Sequence, residues 1–303
     1  MVASVAPTDL AVVHERVLSW YAGHARALPW REATCSPWGV FVSEIMAQQT
    51  PVARVEGPWR EWLERWPTPA DLARATPGDV VRAWGRLGYP RRALRLHEAA
   101  RAMVDRHDGR VPDDETALLA LPGVGAYTAA AVAAFAFGRR TVVVDTNVRR
   151  VLARLVTGRA QGAPSLTRAE RDLAAALVPA DATVSATWNV AVMELGALVC
   201  TARAPACEVC PLLDRCAWVR AGSPAYDGPA RRGQRWEGTD RQVRGRILAA
   251  LREAGWVTRA DLDAAGADPA QVDRCLDSLV ADGLVEPVGA DRFCLPGDLA
   301  AVT

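Results

Sequence analysis

The chain has 303 residues, and half of them are hydrophobic, so it can bury a sizeable core and form more than one domain. Its formal net charge of +1 argues against a globally basic nucleic-acid binder, and all 36 basic residues are arginine, which leaves no lysine amine for Schiff-base chemistry. The sequence contains neither an apolar run of membrane-spanning length nor a secretory signal, so we expect a cytoplasmic protein with no membrane partner.

Helical periodicity dominates the chain as far as residue 221. Prolines stand between the periodic segments, as they do at helix boundaries. The strand signal at Thr141 to Val144 is too short to demand a sheet. The sequence therefore predicts a mainly α fold over residues 1–221. The periodic segments are residues 9–26, 39–49, 58–66, 78–86, 91–106 and 114–120.

The C-terminal part of the chain has a different composition and pattern. Residues 222–238 are rich in glycine, proline and arginine, which predicts a linker. Residues 239–303 then contain an amphipathic helix, two further helices that begin at good N-cap residues, and an alternating segment at 284–295 that is typical of a hairpin. Three helices followed by a two-stranded wing predict a small winged-helix-like module.

Four of the seven cysteines lie close together near the end of the helical region. Without a secretory signal, such clustering indicates a metal or cluster site rather than a disulfide framework. Four thiolates suit either a tetrahedral zinc ion or a 4Fe-4S cluster, and their spacing alone does not separate the two. The candidate ligands are Cys200, Cys207, Cys210 and Cys216.

A glycine-rich turn, LPGVGAYT at residues 121–128, separates two predicted helices. Glycines at alternate positions permit positive φ and a close backbone approach, and the start of the next helix offers free N–H groups to a phosphate. Helical hairpins with glycine are also common in proteins that do not bind DNA. Further along, VVVDTNVRR at 142–150 places Asp145 at a helix start, where N-capping alone would explain an aspartate.

The glycine hairpin followed about twenty residues later by an aspartate resembles the helix-hairpin-helix DNA glycosylases. Within that superfamily the chain is similar to adenine DNA glycosylases of the MutY type over residues 9–220. The resemblance implies a two-lobed helical helix-hairpin-helix glycosylase fold and a 4Fe-4S cluster on the four cysteines. It rests on the hairpin, the Asp145 to Arg150 stretch, RALPWR at 26–31, VSEIMAQQT at 42–50, LGY at 87–89 and WNVAVMELGALVCT at 188–201.

The resemblance also implies roles for individual residues. Glu44 would be the general acid that protonates adenine at N7, although a lone glutamate on an amphipathic helix is usually solvent-exposed. Asp145 would stabilise the oxocarbenium-like cation, and Tyr127 and Asn147 would orient the two carboxyl groups. The extruded-base pocket would comprise Arg26, Trp30, Arg31, Ala47 and Glu194. DNA would be contacted by Gln49, Thr50, Leu87, Gly88, Tyr89, Gly123, Val124 and Gly125.

Three differences from related glycosylases affect these expectations. Tyr127 occupies the position at which bifunctional relatives similar to endonuclease III carry a lysine, so base removal should use water and leave an intact abasic site. Ala47 replaces the usual leucine of the base pocket, which would enlarge the pocket slightly. Residues 239–303 are too short and too helical for the Nudix-like domain of many relatives, so recognition of an oxidised base would rest on the Leu87 to Tyr89 wedge.

The sequence therefore predicts a monomeric, monofunctional glycosylase that removes adenine opposite 8-oxoguanine or guanine from mismatched double-stranded DNA in base excision repair. A related glycosylase with another specificity, such as removal of thymine opposite guanine, is an alternative. A non-catalytic iron-sulfur DNA-binding protein is a further alternative, and the presence of both Glu44 and Asp145 argues against it. The C-terminal module would either bind duplex DNA or pack against the core.

Overall fold

The computed structural model describes residues 7–229, 236–264 and 268–298. The chain forms two compact units. The first unit comprises Met1–Val40, Asp113–Leu119 and Val124–Arg231, and the second comprises Phe41–Pro112, Ala120–Gly123 and Arg232–Thr303.

The predicted mainly α fold class is confirmed. Thr141 to Val144 is in neither helix nor strand. None of the described helices is both long and apolar enough to cross a membrane. The helices before the C-terminal module are α1 (Pro7–His24), α2 (Pro37–Ala47), α3 (Glu56–Arg65), α4 (Pro69–Ala73), α5 (Pro77–Trp84), α6 (Arg91–Arg106), α7 (Glu115–Leu119), α8 (Ala126–Phe137), α9 (Thr146–Leu152), α10 (Arg168–Leu177), α11 (Ala182–Leu198) and α12 (Ala217–Arg220).

The core of the first unit forms where α1, α9, α10 and α11 pack together around apolar side chains such as Val17, Leu152 and Leu195. Helix α8 has the sequence AYTAAAVAAFAF, and alanine combines the best helix propensity with a side chain small enough for close packing. Its alanines pack with Val143 in a second buried cluster. These helices hold the segment around Asp145 between buried elements.

The core of the second unit contains a cluster of tryptophans. Trp62 meets Trp66 and Trp84 edge to face, with ring centroids 4.7 and 5.6 Å apart. Helix α5 carries Trp84 on one side and contributes Val81 to the buried cluster of the C-terminal module. Helix α5 therefore links the helical part of this unit to the module.

The described residues of the C-terminal module form α13 (Asp240–Ala254), β1 (Trp256–Thr258), α14 (Arg259–Ala264), α15 (Pro269–Ala281), β2 (Glu286–Val288) and β3 (Arg292–Cys294). The three strands form an antiparallel sheet in the order β1-β3-β2. Strand β3 pairs with both neighbours, so Cys294 lies opposite Trp256 on one side and Glu286 on the other. The predicted hairpin corresponds to β2 and β3. The sequence did not predict β1, because its partner β3 lies beyond α14 and α15 in the chain.

The module packs against α5 rather than standing free. Val81 shares the module's apolar core, and its carbonyl oxygen accepts a hydrogen bond from Arg252 Nε at 3.1 Å. Arg82 forms a salt bridge with Asp298. A β-carbon at Gly78 would lie 2.7 Å from an Asp298 carboxylate oxygen, so the close approach requires glycine. Of the two roles left open by the sequence, packing is therefore observed.

The domain boundaries derived from the sequence stay a prediction. In the predicted linker at 222–238, residues 230–235 lie outside the described residues. The described residues of that segment are not in helix or strand. The grouping of the module with residues 41–112 was not foreseen, because it depends on side chains of α5 whose partners are more than 150 positions away in the chain.

Candidate active site

The glycine hairpin has the conformation that its sequence predicts. Gly123 has a φ of +77°, and a β-carbon there would lie 2.7 Å from the β-carbon of Arg95. Both conformation and space therefore exclude larger residues. Gly125 is the N-cap of α8 and provides no side-chain acceptor for the first amides of that helix. Val124 between them is partly buried.

Tyr127 lies in the first turn of α8 and is partly buried. It packs against the apolar cluster formed by α8 and Val143. An aromatic side chain therefore occupies the position at which the resemblance places a lysine in bifunctional relatives.

Asp145 is the N-cap of α9 and also makes a second, side-chain contact. Its Oδ1 accepts a hydrogen bond from the Val148 amide at 2.7 Å, which is ordinary capping. Its Oδ2 accepts one from Asn147 Nδ2 at 2.8 Å. Burial raises the pKa of Asp145, while these hydrogen bonds and the charge of Arg150 act in the opposite direction. Asp145 forms no salt bridge with any described residue, and the hydrogen bonds to its two carboxylate oxygens come from neutral donors, Val148 and Asn147.

A chain of hydrogen bonds connects Asp145 to the backbone of the first cysteine. Asn147 Oδ1 accepts from Arg150 Nη2 at 2.7 Å, and Arg150 Nε donates to the Cys200 carbonyl oxygen at 2.6 Å. Arg150 Nη2 also donates to the Gly196 carbonyl oxygen at 2.6 Å. A β-carbon at Gly196 would lie 2.7 Å from that of Asn147, so α9 and α11 can approach only because glycine stands there.

Glu194 is completely buried and is saturated by two arginines. Its carboxylate accepts hydrogen bonds from Arg26 Nε and Nη2, both at 2.7 Å, and from Arg31 Nη2 at 2.9 Å. Burial alone would raise the pKa of Glu194, but the hydrogen bonds from Arg26 and Arg31 lower it to about 2. Glu194 is therefore ionised at neutral pH. Trp30 lies beside Arg31 in the short 3-10 helix Pro29–Arg31 and is partly buried.

Glu44 lies on α2 in the second unit and is only 9% exposed. Charged side chains are seldom buried to this degree unless they are paired or functional. The burial of Glu44 agrees with the predicted functional role rather than with an ordinary solvent-exposed glutamate. Ala47 ends the same helix and is partly buried. Glu44 thus belongs to the second unit, whereas Asp145 belongs to the first.

The turn after α2 and the turn before α6 are held together by one arginine. Arg92 Nη1 donates to three backbone carbonyl oxygens at the end of α2, and Nη2 donates to Thr50 Oγ1 and to the Gly88 carbonyl oxygen, both at 3.0 Å. Burial lowers the pKa of Arg92 to about 10, which leaves it cationic at neutral pH. The three carbonyl oxygens belong to Ile45, Met46 and Gln48.

Two of the residues expected to contact DNA have unusual backbone geometry. Gln49 and Tyr89 have φ angles of +54° and +46°, a left-handed conformation that non-glycine residues seldom adopt. Tyr89 is 47% exposed, whereas Leu87 is only 4% exposed. The structure therefore presents the side chain of Tyr89, and not that of Leu87, at the surface of this turn.

The four cysteines form a loop of partly buried thiols. Burial raises the pKa of Cys207, and it raises that of Cys210 to about 11, with the other cysteines adding to both effects, so the sulfur atoms are near neighbours. No three Cys, His, Asp or Glu side chains of the described residues are arranged around a single metal ion. The donor chemistry of the set, four cysteine thiols within one loop, fits a 4Fe-4S cluster.

An arginine from α9's continuation supports the cysteine loop. Arg154 lies in a π-helical turn at Ala153–Thr157, and its Nη1 donates to Cys200 Sγ at 3.3 Å. Its guanidinium also lies 4.7 Å from the ring centroid of Trp218. Arg154 therefore connects the π-helical turn both to the first cysteine and to α12.

A separate cavity of about 430 Å³ lies in the first unit, lined in part by Arg149, Leu152 and Glu170. Its lining is mainly apolar, and the Arg149–Glu170 salt bridge neutralises its charged groups. None of the residues selected from the sequence as site residues lines it.

Comparison with known proteins identifies the class. The model of the HhH-GPD superfamily base excision DNA repair proteins matches residues 42–176, and that of the iron-sulfur binding domain of endonuclease III matches residues 200–216. A solved structure of a thermostable thymine-DNA glycosylase is 29% identical, with a TM-score of 0.63, and the match covers 70% of this chain and 97% of that one.

Relatives that match over nearly their whole length identify the family within this class. The chain is 57% identical over 285 residues to an adenine DNA glycosylase of Mycobacterium tuberculosis (strain ATCC 25618 / H37Rv), with 93% of each chain covered. It is 54% identical over 297 residues to that of Mycolicibacterium smegmatis, with 97% of each covered. The chain belongs to the adenine DNA glycosylase family. The predicted 4Fe-4S cluster is likewise confirmed, and the zinc alternative is wrong.

Sequence analysis missed three arginines that organise this site. Arg92, Arg150 and Arg154 each donate to backbone or side-chain acceptors distant in the chain, and the sequence pattern assigned none of the three an individual role. Arg150 follows Asn147 by three positions, which is the spacing of neighbours on one helix face and was the available signal. Nothing local in the sequence pointed to Arg92.

Proposed function

We propose that the protein is a monofunctional glycosylase that hydrolyses the N-glycosidic bond of adenine opposite 8-oxoguanine or guanine in mismatched double-stranded DNA. Membership of the adenine DNA glycosylase family supports adenine as the base that is removed. The observation that supports the chemistry is Asp145, a largely buried carboxyl group that accepts hydrogen bonds from Val148 and Asn147 and forms no salt bridge with any described residue. The monomeric state and the cytoplasmic location stay predictions.

The reaction needs two carboxyl groups in opposite protonation states. Adenine leaves poorly as an anion, so Glu44 protonates N7 as the glycosidic bond breaks. The sugar then carries a developing positive charge, which ionised Asp145 stabilises until water attacks. Different surroundings have to separate the two pKa values. Tyr127 and Asn147 orient the carboxyl groups, and the Asn147 hydrogen bond to Asp145 supports this role for Asn147.

Arg26, Arg31 and Glu194 form a rigid wall of the pocket for the extruded base. Because both arginines satisfy the Glu194 carboxylate, Glu194 organises the pocket and does not exchange protons at neutral pH. Arg31 Nη1 is buried without a hydrogen-bond partner among the described residues, so it can donate to an acceptor on the base. Trp30 belongs to the same wall, and Ala47 stays a predicted pocket residue. Extruding the adenine costs least at a mismatch.

The DNA contacts come from two regions. In the second unit, Gln49, Thr50 and the turn at Leu87–Tyr89 occupy the space vacated by the base and probe its partner, and Arg92 holds these two turns in register. In the hairpin, Gly123, Val124 and Gly125 bring backbone amides close to a phosphate.

The proposed specificity is tested with duplexes that carry one mismatch each. We expect single-turnover release of adenine opposite 8-oxoguanine and opposite guanine, with little release from an adenine–thymine pair. The matched duplex with thymine opposite guanine tests the main alternative, since a thymine/uracil-DNA glycosylase of Pyrobaculum aerophilum is 34% identical over 207 residues. Release of thymine without release of adenine would contradict the proposal.

We further expect the enzyme to leave an intact abasic site. The chain contains no lysine, and Tyr127 occupies the position of the lyase lysine in bifunctional relatives, so borohydride should trap no side-chain adduct with DNA. Tyr127→Lys restores an amine at that position and serves as the positive control for trapping. An adduct in the wild-type protein that survives chemical blocking of the N-terminal amine would contradict this expectation.

A further inference from the structure

A group of exposed side chains lies beside the turn at Leu87–Tyr89, the wedge turn, in the second unit. The Arg241 guanidinium lies 5.8 Å from the ring centroid of Tyr89 and 5.0 Å from that of Trp236. The rings of Tyr89 and Trp236 are 47% and 50% exposed, and Arg241 is exposed as well. We call this arrangement the Tyr89–Arg241–Trp236 stack.

The charge of Arg241 is not neutralised by a carboxylate of the described chain. Other arginines of the C-terminal module do have such partners: Arg244 pairs with Asp282, and Arg274 pairs with Asp240. Asp240 directly precedes Arg241, but its carboxylate is taken by Arg274 and Gln271. A solvated cation between two half-exposed rings buries little apolar area, so the stack adds little to folding stability.

The charges on the module's third helix argue against DNA binding through that helix. In helix-turn-helix proteins a recognition helix enters the major groove. On the exposed face of α15, Arg274 is neutralised by Asp240 and Asp273 is paired with Arg259. Among the described residues this face therefore offers a phosphate backbone the carboxylate of Asp277 and no unpaired arginine. The start of α13, where Arg241 lies, is therefore the better candidate for a DNA contact.

The stack is held at the wedge turn by the packing of the module. Val81 shares the module's core, and Arg91 and Arg244 both form salt bridges with Asp282. Arg91 opens α6 directly after the wedge turn, so the position of α13 is fixed relative to that turn. The contact between Tyr89 and Arg241 therefore rests on packed elements and not on a flexible segment.

We propose that Trp236 and Arg241 act together with Tyr89 as one DNA contact on the strand that carries the base opposite the adenine. This inference rests on the proposed function, in which the Leu87–Tyr89 turn probes that base. Arg241 neutralises a phosphate of that strand, and Trp236 stacks on an adjacent nucleotide. The C-terminal module thus supplies part of the opposing-strand contact through the start of α13.

The test measures binding of the full-length protein, with its cluster, to a duplex that carries a non-cleavable adenine analogue opposite 8-oxoguanine. We expect Arg241→Ala and Trp236→Ala each to weaken the affinity about tenfold. Arg241→Ala should also reduce the slope of affinity against salt concentration by about one, whereas Arg241→Lys, which keeps the charge, should restore it.

Arg292→Ala is the matched control, because Arg292 also lies over an exposed ring of the module, 5.1 Å from the centroid of Trp256, but belongs to strand β3. If Arg241→Ala and Trp236→Ala bind as tightly as Arg292→Ala with an unchanged salt slope, the inference is overturned while wild-type adenine release leaves the proposed function intact. If the wild-type protein releases no adenine, the proposed function fails instead.

Neutral methylphosphonate linkages placed one at a time in each strand identify the phosphate. A linkage in the opposing strand should remove the difference between wild type and Arg241→Ala, since both then lack the same ion pair. If only linkages in the adenine strand remove that difference, the assignment to the opposing strand is wrong. Unchanged melting temperature and visible cluster absorption in the variants show that the effect is not a loss of folding.

Discussion

Glu44→Gln is expected to reduce the single-turnover rate of adenine release by about 10²–10⁴-fold, the usual contribution of a general acid. Glutamine keeps the size and most of the polarity of the side chain but has no proton of suitable acidity for N7. Because Glu44 is only 9% exposed, a neutral replacement should not destabilise the helix around it. The rate is measured at saturating enzyme on an adenine–8-oxoguanine duplex.

The control for this substitution is Glu64→Gln, which removes an exposed carboxylate from α3 in the same unit. It should leave the rate unchanged. Both variants should melt at the wild-type temperature and bind the mismatched duplex with similar affinity. Wild-type rates in Glu44→Gln would show that the proton reaches adenine from another group, and the proposed mechanism would be wrong.

Asp145→Asn is expected to reduce the rate of adenine release by about 10²–10³-fold, the usual cost of removing one electrostatic contact to a transition state. Asparagine is as good an N-cap as aspartate, so the hydrogen bond from the Val148 amide and the start of α9 should persist. The substitution therefore separates a catalytic carboxylate from a capping residue. A variant with wild-type activity would show that capping is the whole role of Asp145.

Asp181→Asn is the matched control, because Asp181 caps α11 in the same unit by accepting a hydrogen bond from the Val184 amide at 2.9 Å. It shares the capping geometry of Asp145 but lies at an exposed position. We expect full activity from Asp181→Asn and unchanged melting for both variants. A loss of rate in both would indicate a shared structural cause.

The raised pKa of Asp145 also predicts a pH dependence. Catalysis needs the ionised form, so the release rate should fall on acidification at a higher pH than the ordinary aspartate value of 3.8 would give. For stability the sign is opposite: with a raised folded-state pKa, the favourable contribution is present below 3.8 and is lost as the pH rises through the folded-state pKa. Asp145→Asn, which does not titrate, should therefore be at least as stable as wild type at neutral pH.

The cluster loop and the hairpin could be predicted from local sequence because their chemistry depends on neighbouring positions. Cys200 to Cys216 supply all four ligands within one loop, so the spacing alone indicated a metal centre. Gly123 must be glycine for its own φ and for the adjacent Arg95, so the turn was visible as a motif. The helical class followed in the same way, since periodicity within each segment reports which face is buried.

The surroundings of the site residues could not be predicted, because they depend on contacts between distant segments. The burial of Glu44 and the six-acceptor environment of Arg92 arise only when α2, the wedge turn and α6 pack together. The saturation of Glu194 likewise joins residues more than 160 positions apart. Sequence identified these side chains by resemblance or not at all, and it contained no information on their pKa values.

Residue identity and local spacing were enough to establish the helical class, the thiolate loop and the lack of lysine. The packing of the module on α5, the exposure of Tyr89 rather than Leu87, and the position of Arg241 beside Tyr89 became visible in the folded chain. These features depend on which surfaces exclude water from each other. A one-dimensional pattern indicates that a face is apolar or charged, but packing selects the partner that the face meets.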